Sequence, residues 1–135
     1  MTTAFLIAAI AFGVVVLLVI GRLSRKFARP LNQKYFSNKW MDILERVKTY
    51  DGMVLSVIDA DKLLDEALRK KHFRGKTMGE RLVSAQRSIT DNDSVWYAHK
   101  LRNRLGHEPE VRLRKNEAKN ALAGFKQGLR DLGAL

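Results

Sequence analysis

The sequence predicts an all-α protein in which a single N-terminal transmembrane helix precedes a small bundle of four to five helices. Two observations indicate this fold. Of the 17 positions from Ala4 to Ile20, 16 are hydrophobic, and residues 1–21 contain no ionisable side chain. In the rest of the chain, apolar residues recur at spacings of three and four, and no segment shows the period of two that a strand requires.

Length, cysteine count and charge restrict the class of protein. A chain of 135 residues is too short for a multidomain enzyme, and the absence of cysteine excludes a disulfide scaffold and a cysteine-ligated metal site. We therefore expect no metal and no cofactor. The formal net charge is +11, but six of these charges lie between Arg22 and Lys39, a stretch without any acid. The remaining +5 on residues 40–135 gives only modest electrostatic support for nucleic-acid binding.

The uncharged N-terminal run is long enough to cross a membrane. A helix needs roughly 20 apolar residues to span a hydrocarbon core of about 30 Å, and residues 1–21 supply this length. A cleaved signal peptide is the main alternative, and a buried core helix is another. A signal peptide should begin with basic residues and end in a small-residue cleavage site, whereas this run begins Met1-Thr2-Thr3 and is followed by basic residues. The pattern favours an uncleaved anchor.

The basic residues directly after the run predict its orientation. By the positive-inside rule they place residues 22–135 in the cytoplasm and the N-terminus outside, in a single-pass protein of the plasma or inner membrane. The same side chains could also contact anionic lipid or RNA. These membrane-proximal basic residues are Arg22, Arg25, Lys26 and Arg29.

Three regions follow from this pattern. Residues 1–29 are predicted to form the anchor with its basic flank. Pro30 lacks an amide proton and pushes the preceding residue away from helical geometry, so it should end the first helix and open a linker, residues 30–37. Residues 38–135 are then the helical bundle, large enough for one small core.

Helix signals divide the bundle. The first helix is predicted from Lys39 to about Tyr50, with Ser37 or Asn38 as its N-cap and Asp51-Gly52 as the break after it. Its apolar stripe is Trp40, Ile43, Leu44 and Val47. A second helix is predicted from Met53 to about His72, and a short third helix, opened by the capping box Thr77-x-x-Glu80, runs through Leu82, Val83 and Ala85. A fourth helix is predicted over residues 95–105, stopped by Gly106. The last helix begins near Asn116, has Gly133 past its end, and should bury an apolar stripe of Ala118, Ala121, Leu122, Phe125, Leu129 and Leu132.

One residue contradicts the apolar stripe of the helix that begins at Met53. Asp61 lies between Ile58 and Leu64 on the face that should be buried. A carboxylate there is costly unless a cation or several hydrogen-bond donors meet it. We therefore expect a specific partner for Asp61.

The densest group of polar side chains lies on the helix that follows. His99, Arg102 and Asn103 recur at spacings of three and four, so they share one face of this helix. That face lies beside the apolar stripe of Val95, Ala98, Leu101 and Leu105. A guanidinium and an imidazole one turn apart suit a phosphodiester, because the first binds phosphate oxygens and the second transfers a proton near neutral pH. The same residues could instead stabilise the helix C-terminus or form a structural ion pair.

The segment Ala98-His-Lys-Leu-Arg-Asn-Arg-Leu-Gly-His-Glu108 resembles the signature of HEPN domains (higher eukaryotes and prokaryotes nucleotide-binding). That signature is an Arg followed by Asn or another polar residue, with a His four to six positions beyond the Arg. Arg102, Asn103 and His107 match it. The order of elements is also similar, from an acid-bearing helix to a terminal helix, over about residues 38–133.

The resemblance implies a HEPN-like bundle that forms a homodimer and binds RNA or cleaves it without metal. By carry-over, His107 would transfer the proton, Arg102 would hold the phosphate and Asn103 would position it. His99 and Arg104 flank this set as supporting residues. We add Asp61 as a supporting residue, with the hypothesis that it pairs with Arg102 or orients His107. Many HEPN domains have lost catalysis, so the alternative function is a non-catalytic, membrane-tethered dimerisation or interaction module with an unknown protein partner.

Overall fold

A computed structural model describes residues 2–27 and 30–135, without the side chains of residues 22–27. The described residues form six α-helices, one 3-10 turn and no strand, which confirms the predicted all-α class. The elements are α1 (Thr2–Phe27), α2 (Gln33–Glu45), the 3-10 turn (Arg46–Lys48), α3 (Tyr50–Lys70), α4 (Met78–Ala85), α5 (Asn92–His107) and α6 (Lys115–Asp131).

The chain divides into two compact units, Met1–Pro30 and Leu31–Leu135. The first unit contains α1, whose segment Thr2–Gly21 is long and apolar enough to cross a membrane. Every residue from Ala4 to Ile20 is exposed. An exposed apolar helix of this length is suited to lipid. The predicted basic residue Arg29, and the side chains of Arg22, Arg25 and Lys26, lie outside the described part of the chain.

The first helix of the second unit begins earlier than the sequence pattern indicated. The Asn32 side chain accepts a hydrogen bond from the Tyr35 amide over 3.1 Å and caps α2 at Gln33, not at Lys39. Residues 33–37, assigned to the linker, therefore lie in α2.

The break between α2 and α3 also lies elsewhere. Asp51 and Gly52 are in the first turn of α3, so the prediction that they interrupt the chain was wrong. Thr49 is the N-cap, and its hydroxyl accepts from the Gly52 amide over 3.1 Å. A Cβ on Gly52 would overlap the Arg46 carbonyl oxygen. Glycine is needed here because the 3-10 turn approaches α3 closely, not because the helix ends.

The N-cap of α4 is Thr77, as predicted, and its hydroxyl accepts from the Glu80 amide over 3.2 Å. The second bond of the predicted capping box differs, because the Glu80 carboxylate accepts over 2.5 Å from the amide of Lys76, one residue before the N-cap. The buried positions of this helix are Met78, Arg81, Leu82 and Ala85, whereas Val83 is 57% exposed.

The core forms where α3, α5 and α6 pack together. The predicted stripe of α6 is buried throughout. Two glycines of α6 permit the close approach of α5. A Cβ on Gly124 would lie 2.5 Å from the Ser94 carbonyl oxygen, and a Cβ on Gly128 would lie 3.2 Å from the Val95 side chain. At the end of α6, Gly133 adopts a positive φ of 75°, and the Ala134 amide donates to the Leu129 carbonyl over 2.8 Å. The buried α6 stripe comprises Ala118, Ala121, Leu122, Phe125, Leu129 and the adjacent Leu132.

Candidate functional site

Helices α3 and α5 each bury one ionisable side chain at their contact. Asp61 of α3 is 5% exposed and His99 of α5 is 9% exposed. The distance between His99 Nδ1 and Asp61 Oδ1 is 2.7 Å. This bond supplies the partner that the sequence required for a carboxylate in an apolar stripe.

Two further hydrogen bonds connect this pair to other polar side chains of α5. Arg102 Nη1 donates to Asn103 Oδ1 over 3.2 Å, which turns Asn103 Nδ2 toward His99 Nε2 at 3.3 Å. An amide nitrogen can only donate, so Nε2 of the imidazole accepts. The ring proton is therefore on Nδ1 and is donated to Asp61.

A contact between Arg102 and Asp61 completes a ring of four side chains, Asp61, His99, Asn103 and Arg102. Arg102 Nε lies 3.5 Å from Asp61 Oδ2, which is an ion pair, but this buried nitrogen makes no hydrogen bond. The Arg102 side chain remains 29% exposed, whereas the Asp61 side chain is 7% exposed. The predicted pairing of Asp61 with Arg102 is thus present, and the imidazole that Asp61 orients is that of His99, not His107.

The ring forms one wall of an open cleft of about 440 Å³ between α3, α5 and the start of α4. Trp96 meets the His99 ring edge to face, with 5.9 Å between the ring centroids. A Cβ on Gly79 would lie 3.6 Å from Trp96, so the start of α4 lies close to the same indole. The cleft is lined by Asp61, Lys62, Asp65, Thr77, Met78, Gly79, His99, Arg102 and Asn103.

The second carboxylate of the cleft, Asp65, is already neutralised. Arg81 of α4 donates to both of its oxygens, over 2.7 and 3.0 Å, and also to the Gly75 carbonyl over 2.8 Å. Arg69 adds an ion pair at 3.4 Å. A bidentate pair of this kind fixes α4 against α3 and leaves little negative charge in the cleft.

The predicted site residues separate into two groups. Asp61, His99, Arg102 and Asn103 meet at the cleft wall. Arg104 and His107 are exposed, and neither lines the cleft. Helix α5 continues through Gly106 to His107, so the prediction that Gly106 stops it was wrong. At about 100° per residue, five residues rotate His107 roughly 140° away from Arg102 around the helix.

Five residues that line the cleft or contact its lining were not predicted to be site residues. Lys62, Asp65 and Thr77 line it, Arg81 contacts Asp65, and Trp96 contacts His99. Asp65 had a usable signal, because it follows Asp61 by four residues on one face of α3. Arg81 had another, because a stripe that begins at Met78 places position 81 on the buried face.

Among the described residues, no group of three or more His, Asp or Glu side chains that could hold a metal ion is found. The fold and the cleft together define a helical bundle with an apolar N-terminal helix and a His–Asp–Arg–Asn ring. Comparison with protein-family models, curated proteins and solved structures finds no match to this chain. Function must therefore be inferred from the residues that line the cleft.

Proposed function

We propose that this chain is a single-pass membrane protein whose cytoplasmic bundle binds RNA through the cleft between α3 and α5. The observation that carries the proposal is the state of Arg102. Its Nη1 is held by Asn103 and its Nε faces Asp61, while Nη2 makes no hydrogen bond within the described residues and the side chain is partly exposed at the cleft. An oriented guanidinium with a free N–H group is suited to a phosphate oxygen.

Two further cleft residues support a phosphodiester ligand. Lys62 places a second cation at the cleft, and its ion pair with Asp59 is long, at 3.7 Å, and exposed. The Thr77 side chain also lines the cleft. Binding that depends on these cations should weaken as salt concentration rises.

Cleavage is an extension of the same proposal. Asp61 fixes His99 with its proton on Nδ1, so Nε2 is the basic nitrogen that could accept the proton of a ribose 2′-OH. The 2′-oxygen would then attack phosphorus and the P–O5′ bond would break. The leaving 5′-oxygen would take a proton from the imidazolium or from water, so the products would be a cyclic phosphate and a free 5′-OH. Asn103 Nδ2 donates to His99 Nε2 over 3.3 Å, so the Asn103 side chain would have to turn away before Nε2 could accept a proton from RNA. We therefore propose RNA binding as the function, and cleavage only if Asn103 makes this movement.

A second candidate function is a non-catalytic interaction module. The ring is closed by the ion pair between Arg102 and Asp61, and its His99–Asp61 pair is buried. This arrangement also suits a structural contact that fixes α3 against α5. In this case the bundle would form a homodimer or bind a protein partner, as the HEPN resemblance implies, and Arg102 would have no RNA to bind.

The membrane arrangement rests on two features. The segment Thr2–Gly21 is a candidate span, and the sequence directly after it is basic without any acid up to Lys39. The positive-inside rule therefore favours a cytoplasmic bundle and an external N-terminus in the plasma or inner membrane.

RNA binding is tested with the full chain in detergent micelles and fluorescently labelled RNA, by anisotropy. We expect Arg102→Gln to weaken binding about tenfold or more, because it removes a charge-assisted hydrogen bond, and to reduce the salt dependence. Arg104→Gln is the matched control, since it removes the same charge from an exposed position on the same helix. Equal effects of the two substitutions, or no binding by the wild type at low salt, would contradict the proposal and favour the interaction module.

Cleavage is tested with the same RNA in the presence of a chelator, comparing His99→Asn with His107→Asn. Loss of cleavage in the His99 variant alone would assign the base to the ring. Loss in the His107 variant alone would support the residue that the HEPN resemblance implies. RNA binding without cleavage by the wild type would limit the function to binding. Because His99 is buried, each variant must retain the wild-type near-ultraviolet circular dichroism.

A further inference from the structure

A second concave surface lies on a different part of the bundle from the cleft. It is a groove of about 660 Å³ formed by α2, the 3-10 turn, the start of α3 and one face of α6. Its apolar lining includes Trp40, Leu44, Met53 and Leu122. None of its lining residues belongs to the cleft between α3 and α5.

The groove exposes apolar surface where the sequence pattern predicted core. Trp40 and Leu44 belong to the apolar stripe of α2, yet Leu44 is 38% exposed. The Trp40 ring is almost fully buried, but its Nε1 has no hydrogen-bond acceptor within the described residues. A buried indole N–H without an acceptor is uncommon in a complete structure.

Lysines surround the apolar surface. Lys115, Lys119 and Lys126 recur along α6 at spacings of four and seven, and Lys48 lies on the opposite side. No acidic residue lines the groove, and none of these lysines forms an ion pair in the described part of the chain. The groove thus combines an apolar floor with a cationic rim.

We propose that this groove binds an acidic phospholipid of the bilayer, with an acyl chain along the apolar floor and the phosphate among the lysines. A molecule that is apolar at one end and anionic at the other satisfies both the apolar floor and the cationic rim. Lysines near a membrane surface are attracted to anionic headgroups. The groove also belongs to a bundle whose first helix, α2, begins six residues after the end of α1, the candidate membrane-spanning helix.

A second copy of this chain fits the groove less well. Residues 40–135 carry a net charge of +5, so a second bundle would bring positive charge toward four lysines that have no counter-ion. Like charges facing one another at an interface oppose association. An acidic lipid supplies the missing negative charge.

The test uses the fluorescence of Trp40 in the full chain reconstituted in lipid nanodiscs. The chain has two tryptophans, so Trp96→Phe leaves Trp40 as the only one, and α1 contains none. Each nanodisc contains mostly phosphatidylcholine with a minority of phosphatidylglycerol, and acyl-chain bromines, which quench tryptophan on contact, are placed on one lipid or the other. We expect more quenching when the bromines are on the minority acidic lipid.

Two triple variants in the Trp96→Phe background locate the effect. Lys115→Gln/Lys119→Gln/Lys126→Gln should reduce the quenching by brominated phosphatidylglycerol several-fold. Lys34→Gln/Lys76→Gln/Lys100→Gln removes the same charge from exposed lysines outside the groove and should leave it within the error of the parent protein. All three proteins should have the same far-ultraviolet circular dichroism.

Three results would overturn the proposal. One is quenching in proportion to the amount of each brominated lipid, because it would mean that the groove does not select the acidic headgroup. Another is an equal loss in both triple variants, which would mean attraction by overall charge alone. The third is a Trp40 that both brominated lipids quench less in nanodiscs with two chains than in nanodiscs with one, which would identify a second copy as the occupant. None of these results depends on RNA binding at the cleft.

Discussion

His99 Nδ1 donates to Asp61 Oδ1 over 2.7 Å and joins two helices across 38 residues of sequence. Both side chains are buried, so neither can exchange its partner for water. A buried polar pair of this kind specifies how α3 and α5 align, because a shift of either helix would leave one of the two groups unpaired. The bond also fixes the tautomer of His99, which determines the chemistry available to the cleft.

The pair should therefore be important for stability. We expect Asp61→Asn to lower the free energy of unfolding by about 1–3 kcal/mol, because His99 keeps an acceptor but Arg102 loses its buried counter-ion. The measurement is urea denaturation of the full chain in detergent, followed by tryptophan fluorescence. Asp59→Asn is the control: its carboxylate pairs with Arg46 at 2.7 Å in a more exposed position, and we expect a loss below about 1 kcal/mol. Similar losses in the two variants would mean that Asp61 is not specially paired.

The fold was largely predictable because helix periodicity is a local property. The stripe of α6 and the positions Val95, Ala98 and Leu101 of α5 are buried as their spacing indicated. The predicted helix boundaries were wrong where the sequence offered two competing signals. Asn32 caps α2 in place of Ser37 or Asn38. Asp51-Gly52 usually indicates a turn, but here it lies inside α3, because a close backbone contact requires glycine at position 52.

The site was predictable only in part, because its geometry depends on the packing of distant helices. A carboxylate in an apolar stripe predicted that Asp61 has a partner, and helical spacing placed His99, Arg102 and Asn103 on one face. Neither signal states which of these side chains meets Asp61, since that depends on the register between α3 and α5. Arg81, which neutralises Asp65, comes from a third helix and was not recognised.

Replacing glycine by alanine should have opposite effects on stability at Gly124, where α6 contacts α5, and at Gly106, where a Cβ would make only an ordinary contact. Gly124→Ala would place a methyl group 2.5 Å from the Ser94 carbonyl oxygen, and we expect the free energy of unfolding to fall by about 1–3 kcal/mol. In Gly106→Ala the nearest atom would be Arg102 Nη1 at 3.8 Å, so the better helix propensity of alanine should raise stability by about 0.5–1 kcal/mol. Urea denaturation measures both. A neutral Gly124→Ala would show that the two helices are farther apart than described.

The N-cap of α5 should make stability depend on pH. The Ser94 hydroxyl, at 2.6 Å, and the Ser94 amide, at 3.0 Å, donate to Asp91 and hold the pKa of its carboxyl below the ordinary value. A depressed pKa in the folded state adds stability above the ordinary pKa, and this stability is lost as pH falls through the depressed one. We therefore expect the advantage of the wild type over Asp91→Asn to shrink on acidification. Denaturation at a series of pH values measures this, and a constant difference would contradict it.

The proposed orientation in the membrane can be measured directly because the chain contains no cysteine. Thr3→Cys places a thiol at the N-terminus, and Asn120→Cys places one at an exposed position of α6. With an external N-terminus, a membrane-impermeant maleimide should label Cys at position 3 in intact cells, and position 120 only after the membrane is permeabilised. The reverse pattern would invert the topology. A mature chain whose mass lacks residues 1–21 would identify the segment as a cleaved signal peptide and remove the anchor from the proposed function.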